Sequence, residues 1–510
     1  MVRDRVDVIH LMELVTRRAC SAIVGCLAVV ALSACGDNSL APVDAPGPDA
    51  PAPTRIATGR RLIDHAAVVG GITSDGFVVF SDVDPAGHSV AKVIPIDGGP
   101  ETVIATSAGT GKADIRFEIR GSVVFAWTDR GNRVATLTIL SQATGVMPRG
   151  GNTRPGRAAA SADGRMIAYE RDVTATTVNL VVGPTGGPDA VVAAANAEDG
   201  TCWQNTDIAS IGSASPRLLA RYCPAGSTAF TLRSIAPDGA TQDLSLAAET
   251  AWFSATRAIW REAGGVLATT QDGVTAQKLA TNATDFVVSR DQAKLAFLTP
   301  EGAIFGLPTD RNTTPQVLVP APEAQQLGAL SPDGQTVLYA SQTEDRGQNT
   351  IAPYTDVRAS IPLDAPRVLI PGTTSCPSCL FDSFTPDGRY ALVLDPIDNT
   401  QTADGAGPIK VFSLADGKAI TSFGSDIYTA IALGGTGLAS RFLFVDAVRD
   451  PKLATGWVYG MTARPIDPAA SPINIARGAE NFALDRVHAR GVVSFNGDDE
   501  VAGLWVISLE

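Results

Sequence analysis

Past residue 55 the sequence has almost no helical periodicity, and past the first twenty positions it has no cluster of Lys or Arg. Acidic residues outnumber basic ones, 53 to 40, and the formal charge is −13. Such a chain repels phosphate backbones, so no nucleic acid is expected as a partner. Histidine is equally scarce. Of four in the chain, His65, His88 and His488 are too dispersed to argue a metal cluster, and each reads as solvated or structural. What is abundant is glycine, 49 residues, and proline, 33, set among tracts of Val, Ala, Thr and Leu. That mixture suits short strands joined by turns, and the fold class expected is all-β. At 510 residues the chain exceeds one ordinary core, so it holds several domains or one modular array.

Repetition favours the array. Ser331-Pro332-Asp333-Gly334 precedes the apolar run Thr336-Val337-Leu338-Tyr339-Ala340, and the phrase returns as Thr385-Pro386-Asp387-Gly388 and Ser161-Ala162-Asp163-Gly164. Looser copies are Thr73-Ser74-Asp75-Gly76 and Ser289-Arg290-Asp291, with Gln292 in place of the turn glycine. A second turn follows later in each unit, as at Asp97-Gly98-Gly99, Gly186-Gly187, Asp238-Gly239, Asp272-Gly273 and Asp416-Gly417. Glycine takes the positive φ of such turns without steric cost. The unit that emerges has four strands and two tight turns, which is a propeller blade.

Units begin near residues 66, 113, 157, 200, 249, 284, 326, 380, 426 and 481, the ones at 113 and 249 lacking the phrase. The expectation is a multi-bladed β-propeller of seven to ten units over 56–510, in one ring or in two smaller ones. The last unit supplies only three strands, ending at Leu504-Trp505-Val506-Ile507-Ser508-Leu509, and Arg55-Ile56-Ala57 is expected to complete it and close the ring. The Ser-Pro-Asp-Gly phrase with its following strand resembles the propeller repeat of the periplasmic TolB family. The resemblance covers most of 66–510, with three close copies. It implies a blade and no particular activity, and the chain has no room for the separate amino-terminal domain of TolB itself.

The amino terminus reads as an address. Arg17-Arg18 precede an apolar stretch from Ala19 to Ala34, ending in Leu32-Ser33-Ala34-Cys35. Basic, apolar and small residues in that order mark an export signal, and about 16 apolar residues is short for a membrane span. The last four resemble a bacterial lipobox, which implies cleavage before Cys35 and lipid attachment to it. Residues 1–34 are then a signal peptide, with Met12 an alternative start, and Cys35 anchors the chain to a membrane. Gly36 follows, with no aspartate there to imply inner-membrane retention, so the expected address is the outer membrane of the cell envelope. Residues 35–55, rich in Pro, Ala and Asp, form an extended tether.

Four further cysteines belong to the propeller: Cys202, Cys223, Cys376 and Cys379. In an oxidising envelope an even number implies disulfides. With a hairpin centred on Gly212-Ser213, facing positions sum to 425, which sets Cys202 opposite Cys223 and closes a loop of about 20 residues for roughly 3 kcal/mol. Cys376-Pro377-Ser378-Cys379 has the spacing of a redox motif, but no helix pattern follows it and no His lies near, so a structural disulfide is preferred over redox or zinc chemistry.

In such a blade, the connections from strand four to the next blade and from strand two to strand three share one face. All four cysteines map there, as do the long connections 341–357, 395–408 and 448–453. Long loops on a rigid frame are where function concentrates. The search for chemistry yields little. Gly87-His88-Ser89-Val90-Ala91 lacks the final glycine of a nucleophile elbow. Asp395, Asp398 and Asp404, and Asp498-Asp499-Glu500, lack EF-hand spacing. The tryptophans suit packing between blades. No catalytic residue, metal ligand or cofactor is assigned. The expected function is a non-catalytic scaffold for a protein, peptide or glycan, with a propeller enzyme (hydrolase or lyase) or a purely structural envelope protein as alternatives.

Overall fold

A computed structural model describes residues 56–110, 115–129, 134–196, 207–212, 216–311, 313–342, 355–360, 367–373, 380, 382–394, 407–449, 457–495 and 500–509. Among the described residues there are strands, turns and a single 3-10 turn at Gly437–Ala439. The strands form ten consecutive antiparallel units, numbered here as blades 1 to 10: 68–110, 116–150, 153–196, 207–245, 248–280, 285–319, 326–373, 384–423, 427–479 and 481–508. The units near 113 and 249, which lack the turn phrase, are complete blades. Blade 8 has the slightest inner strand, a bridge between Phe384 and Ala391.

The turn phrase works through its side chains. In blade 7 the Ser331 hydroxyl donates to Asp333 Oδ1 (2.6 Å) and accepts from Thr336 N (2.9 Å), while Gly334 N donates to Ser331 O. Thr385 and Asp387 in blade 8, and Ser289 and Asp291 in blade 6, repeat this geometry. Gln292 occupies the glycine position of blade 6 at a φ of 65°. Hydroxyl, carboxylate and backbone thus satisfy one another, and the corner is rigid.

The second strands read as continuous apolar runs because each blade is covered on both faces. In blade 1, Val78 and Phe80 pack toward blade 10 and Val79 toward blade 2. In blade 4, Leu218 and Ala220 face blade 3 and Leu219 faces blade 5. Each of the ten seams has its own apolar cluster, including the one between blades 10 and 1. The ten blades therefore make one closed β-propeller, not two rings. Two strands of 16 residues, Gly145–Ala160 and Ala419–Gly434, serve as the outer strand of one blade and the inner strand of the next.

The closure differs from expectation. The fourth strand of blade 10 is Arg60–Ile63, paired with Gly503–Ser508. Ile56–Ala57 instead pairs with Ile473–Ala479 as a fifth strand of blade 9. The reason is Gly59, at a φ of 154°: a Cβ there would lie 2.1 Å from Val506 O, so the glycine admits a backbone reversal between the two short strands. Gly503 makes a matching close approach to Ile63 O. The register at Asp207–Ile211 also needs correction. Asp207 faces Arg221 and Ile211 faces Arg217, so facing positions sum to 428, not 425. The strands end at Ile211 and Arg217, so the connection is longer than a two-residue turn; Cys202 itself lies outside the described residues.

Candidate functional site: the two ends of the channel

First strands line the channel. They start at the face bearing the connections between strands two and three, here the loop face, and finish at the tight-turn face. At the loop face the charged side chains of successive blades pair off. Arg154 meets Glu170 in blade 3, Arg221 meets Asp207 at 2.6 Å in blade 4, and Arg261 meets Glu249 at 2.6 Å in blade 5. Arg221 also lies over the Phe230 ring. A buried charge needs such a partner, and the alternation of strands brings one from the neighbouring strand.

Blade 1 holds a denser group at the same face. Asp82 is only 2% exposed, and its Oδ2 accepts from Lys92 Nζ (2.8 Å) and lies 3.0 Å from His65 Nε2. Lys92 also reaches Glu101 at 3.0 Å. Burial disfavours the ammonium, but hydrogen bonds to Asp82 and Glu101 outweigh it and raise its pKa. Asp82 Oδ1 is buried with no hydrogen-bond partner. His65, half exposed, stands on the connection from the closing strand to blade 1.

At the tight-turn face three blades converge. Asp382 of blade 8 accepts from Ala432 N (2.7 Å) and pairs with Arg486 of blade 10 at 3.0 Å and Arg290 of blade 6 at 3.7 Å. Arg486 also donates to Ala432 O at 3.0 Å. Blades 6, 8 and 10 are not ring neighbours, so one carboxylate draws together turns that the chain order keeps apart. Two guanidinium groups thus face one carboxylate. Sequence reasoning misses these residues. The signal that could have found them is Arg290, a charge at the position that holds Pro332, Pro386 or Ala162 elsewhere.

The histidines do not converge. His65 sits by Asp82, His88 by Asp84 at 3.2 Å, and His488 by Asp485 at 2.7 Å, each partner close in sequence or in the same blade. Among the described residues no group of three or more His, Cys, Asp or Glu is placed to hold a metal. Ser89 is buried at the start of a strand, not on a strained elbow before a helix. Trp127 and Trp260 are fully buried between blades. Cys223 is buried at the end of strand two of blade 4, on the loop face, and is disulfide-bonded. Cys35, Cys202, Cys376, Cys379, Trp203, Asp395, Asp398, Asp404, Asp498 and Asp499 lie outside the described residues, as do most of the three long connections.

No protein-family model matches the chain, and no curated protein matches it. Solved structures similar to it include a eukaryotic initiation factor (12% identity, 82% of this chain and 92% of that one, TM-score 0.40). Others are the C-terminal WD40 domain of Sif2 (11%, 90% and 99%, 0.34) and an oligogalacturonate lyase from Vibrio parahaemolyticus (10%, 57% and 94%, 0.29). The tricorn protease is similar at 9% identity and a TM-score of 0.32, and this chain spans 56% of its length. The strand pairing defines the class: a ten-bladed β-propeller.

Proposed function

We propose that the protein is a TolB-like envelope lipoprotein, held by lipid at Cys35, whose propeller is a non-catalytic scaffold for a protein, peptide or glycan. One observation carries the reading. On the loop face the described charges of blades 3, 4 and 5 neutralise one another in pairs, so the frame is rigid there, while the long connections leave between fixed strand ends such as Gln342 and Thr355. Recognition then falls to the connections and not to the frame. The test is capture from cross-linked envelopes, comparing the full chain with a variant in which 343–354 is replaced by a short Gly-Ser linker. A specific partner that is lost in the variant supports the reading; capture unaffected by the replacement removes this face from it.

A propeller enzyme is the second reading, and the orphaned Oδ1 of buried Asp82 beside His65 is what favours it. An acid and an imidazole together on the loop face are the raw material of proton transfer. Turnover of a glycan or peptide by the purified protein, lost on His65→Ala with the fold intact, would favour that reading.

A further inference from the structure

The fifth strand of blade 9 fixes where the tether leaves the ring. Ile56 faces Arg477 and Ala57 faces Ala476, so facing positions sum to 533, and Thr58 N continues the ladder to Ile475 O at 2.9 Å. Strand Ile473–Ala479 runs from the tight turn at 467–470 toward the first strand of blade 10, which starts at Asn481 on the loop face. The added strand is antiparallel to it. The chain therefore enters at the loop-face end of the blade 9 rim and runs toward the tight-turn face before Gly59 reverses it. Arg477, the partner of Ile56, lies two residues before Ala479, the last residue of the strand, so Ile56 itself stands close to the loop-face edge.

We infer that the loop face is the membrane-proximal face of the propeller. This rests on the lipoprotein reading and adds an orientation to it. The 20 residues 36–55 span at most about 60 Å as a semi-rigid Pro-rich segment. To turn the tight-turn face to the bilayer, that segment would have to double back past the whole height of the rim. The acidic chain has no pull toward anionic lipid that would drive such a reversal. The bilayer surface, and whatever protrudes from it, is then what the long connections meet first.

The experiment uses the acylated full chain in vesicles containing an acceptor-labelled lipid, with a donor dye on one introduced cysteine. Ala66→Cys places it on the loop face, beside the closing strand, and Ala469→Cys places it on the tight-turn face of blade 9; both positions are exposed. Greater loss of donor emission at Ala66→Cys than at Ala469→Cys is the expected result. Equal or reversed losses, with the protein retained on the vesicles, overturn the orientation while leaving the lipid anchor standing. A Cys35→Ser chain that binds vesicles as well as the parent overturns the anchor itself, and the orientation with it. In Ile56→Pro the fifth strand loses its ladder, and the difference between the two dyes should shrink while vesicle binding persists.

Discussion

Arg486 of blade 10 holds Asp382 of blade 8 at 3.0 Å, and both side chains are only 10% exposed. The pair passes over blade 9 through the backbone of Ala432, which gives its N–H to the carboxylate and its carbonyl to the guanidinium. A ring stacked only through neighbour seams would have no such cross-link. Without Arg486 the buried Asp382 carboxylate keeps only Ala432 N–H and the more distant Arg290, so Arg486→Met should destabilise the protein by about 2 kcal/mol. Arg290→Ala, more exposed and at 3.7 Å, should cost under about 1 kcal/mol. Denaturant titration of the two variants checks both values; equal effects would show that the clamp is not centred on Arg486.

Gly59 and Gly503 border the closing strand, and neither tolerates a Cβ, since each faces a backbone carbonyl rather than a movable side chain. Gly59→Ala and Gly503→Ala should each cost about 2 kcal/mol or more. Limited proteolysis reads the effect: cleavage near residues 58–66 should precede cleavage elsewhere.

Turn hydroxyls should matter although the turns that carry them lie at the rim, because the hydroxyls themselves are buried. Ser331 is fully buried, and Ser331→Ala leaves Thr336 N and Asp333 without it, at a cost of about 1 to 2 kcal/mol. The thermal unfolding midpoint of this variant should drop by about 1 to 2 °C. The conservative change Ser331→Thr should keep most of the parent stability, because Thr385 fills the same role in blade 8.

Acid should weaken these same corners. Burial pushes the Asp272 carboxyl up, but hydrogen bonds from Thr275 N, Val274 N and the Thr270 hydroxyl outweigh it and bring its pKa to about 2. Asp163 and Asp387 are lowered in the same manner. A folded-state pKa below the unfolded value gives stability that is present above about pH 4 and lost as pH falls through the folded value. Because the Asp272 carboxylate stays wetted, its share is at most about 1 kcal/mol. Stability measured from pH 5 down to 2 should fall less steeply in Asp272→Asn than in the parent.

Much of this architecture is written in the chain, because a blade is specified by local chemistry. Where the phrase is complete, the hydroxyl, carboxylate and glycine of the corner lie within four residues of one another, and the apolar run follows at once. The closing strand is misplaced by a few residues because its position depends on Gly59 clearing Val506 O, a contact between opposite ends of the chain. The 425 register fails for a similar reason: it assumes a two-residue turn where the strands end at Ile211 and Arg217. Least legible is the Arg290, Asp382 and Arg486 group. Nothing in the spacing of three charges spread over nearly two hundred positions says that a ring will fold them onto one point.

The strand that seals the propeller lies at the opposite end of the sequence from its partner. Arg60–Ile63 is synthesised among the first propeller residues and Gly503–Ser508 among the last. During manufacture, then, an early segment must wait with its ladder unfilled until nearly everything downstream has stacked, and premature pairing with some other free edge is the hazard. A chaperone requirement, or slow maturation after the carboxyl end emerges, follows from that delay.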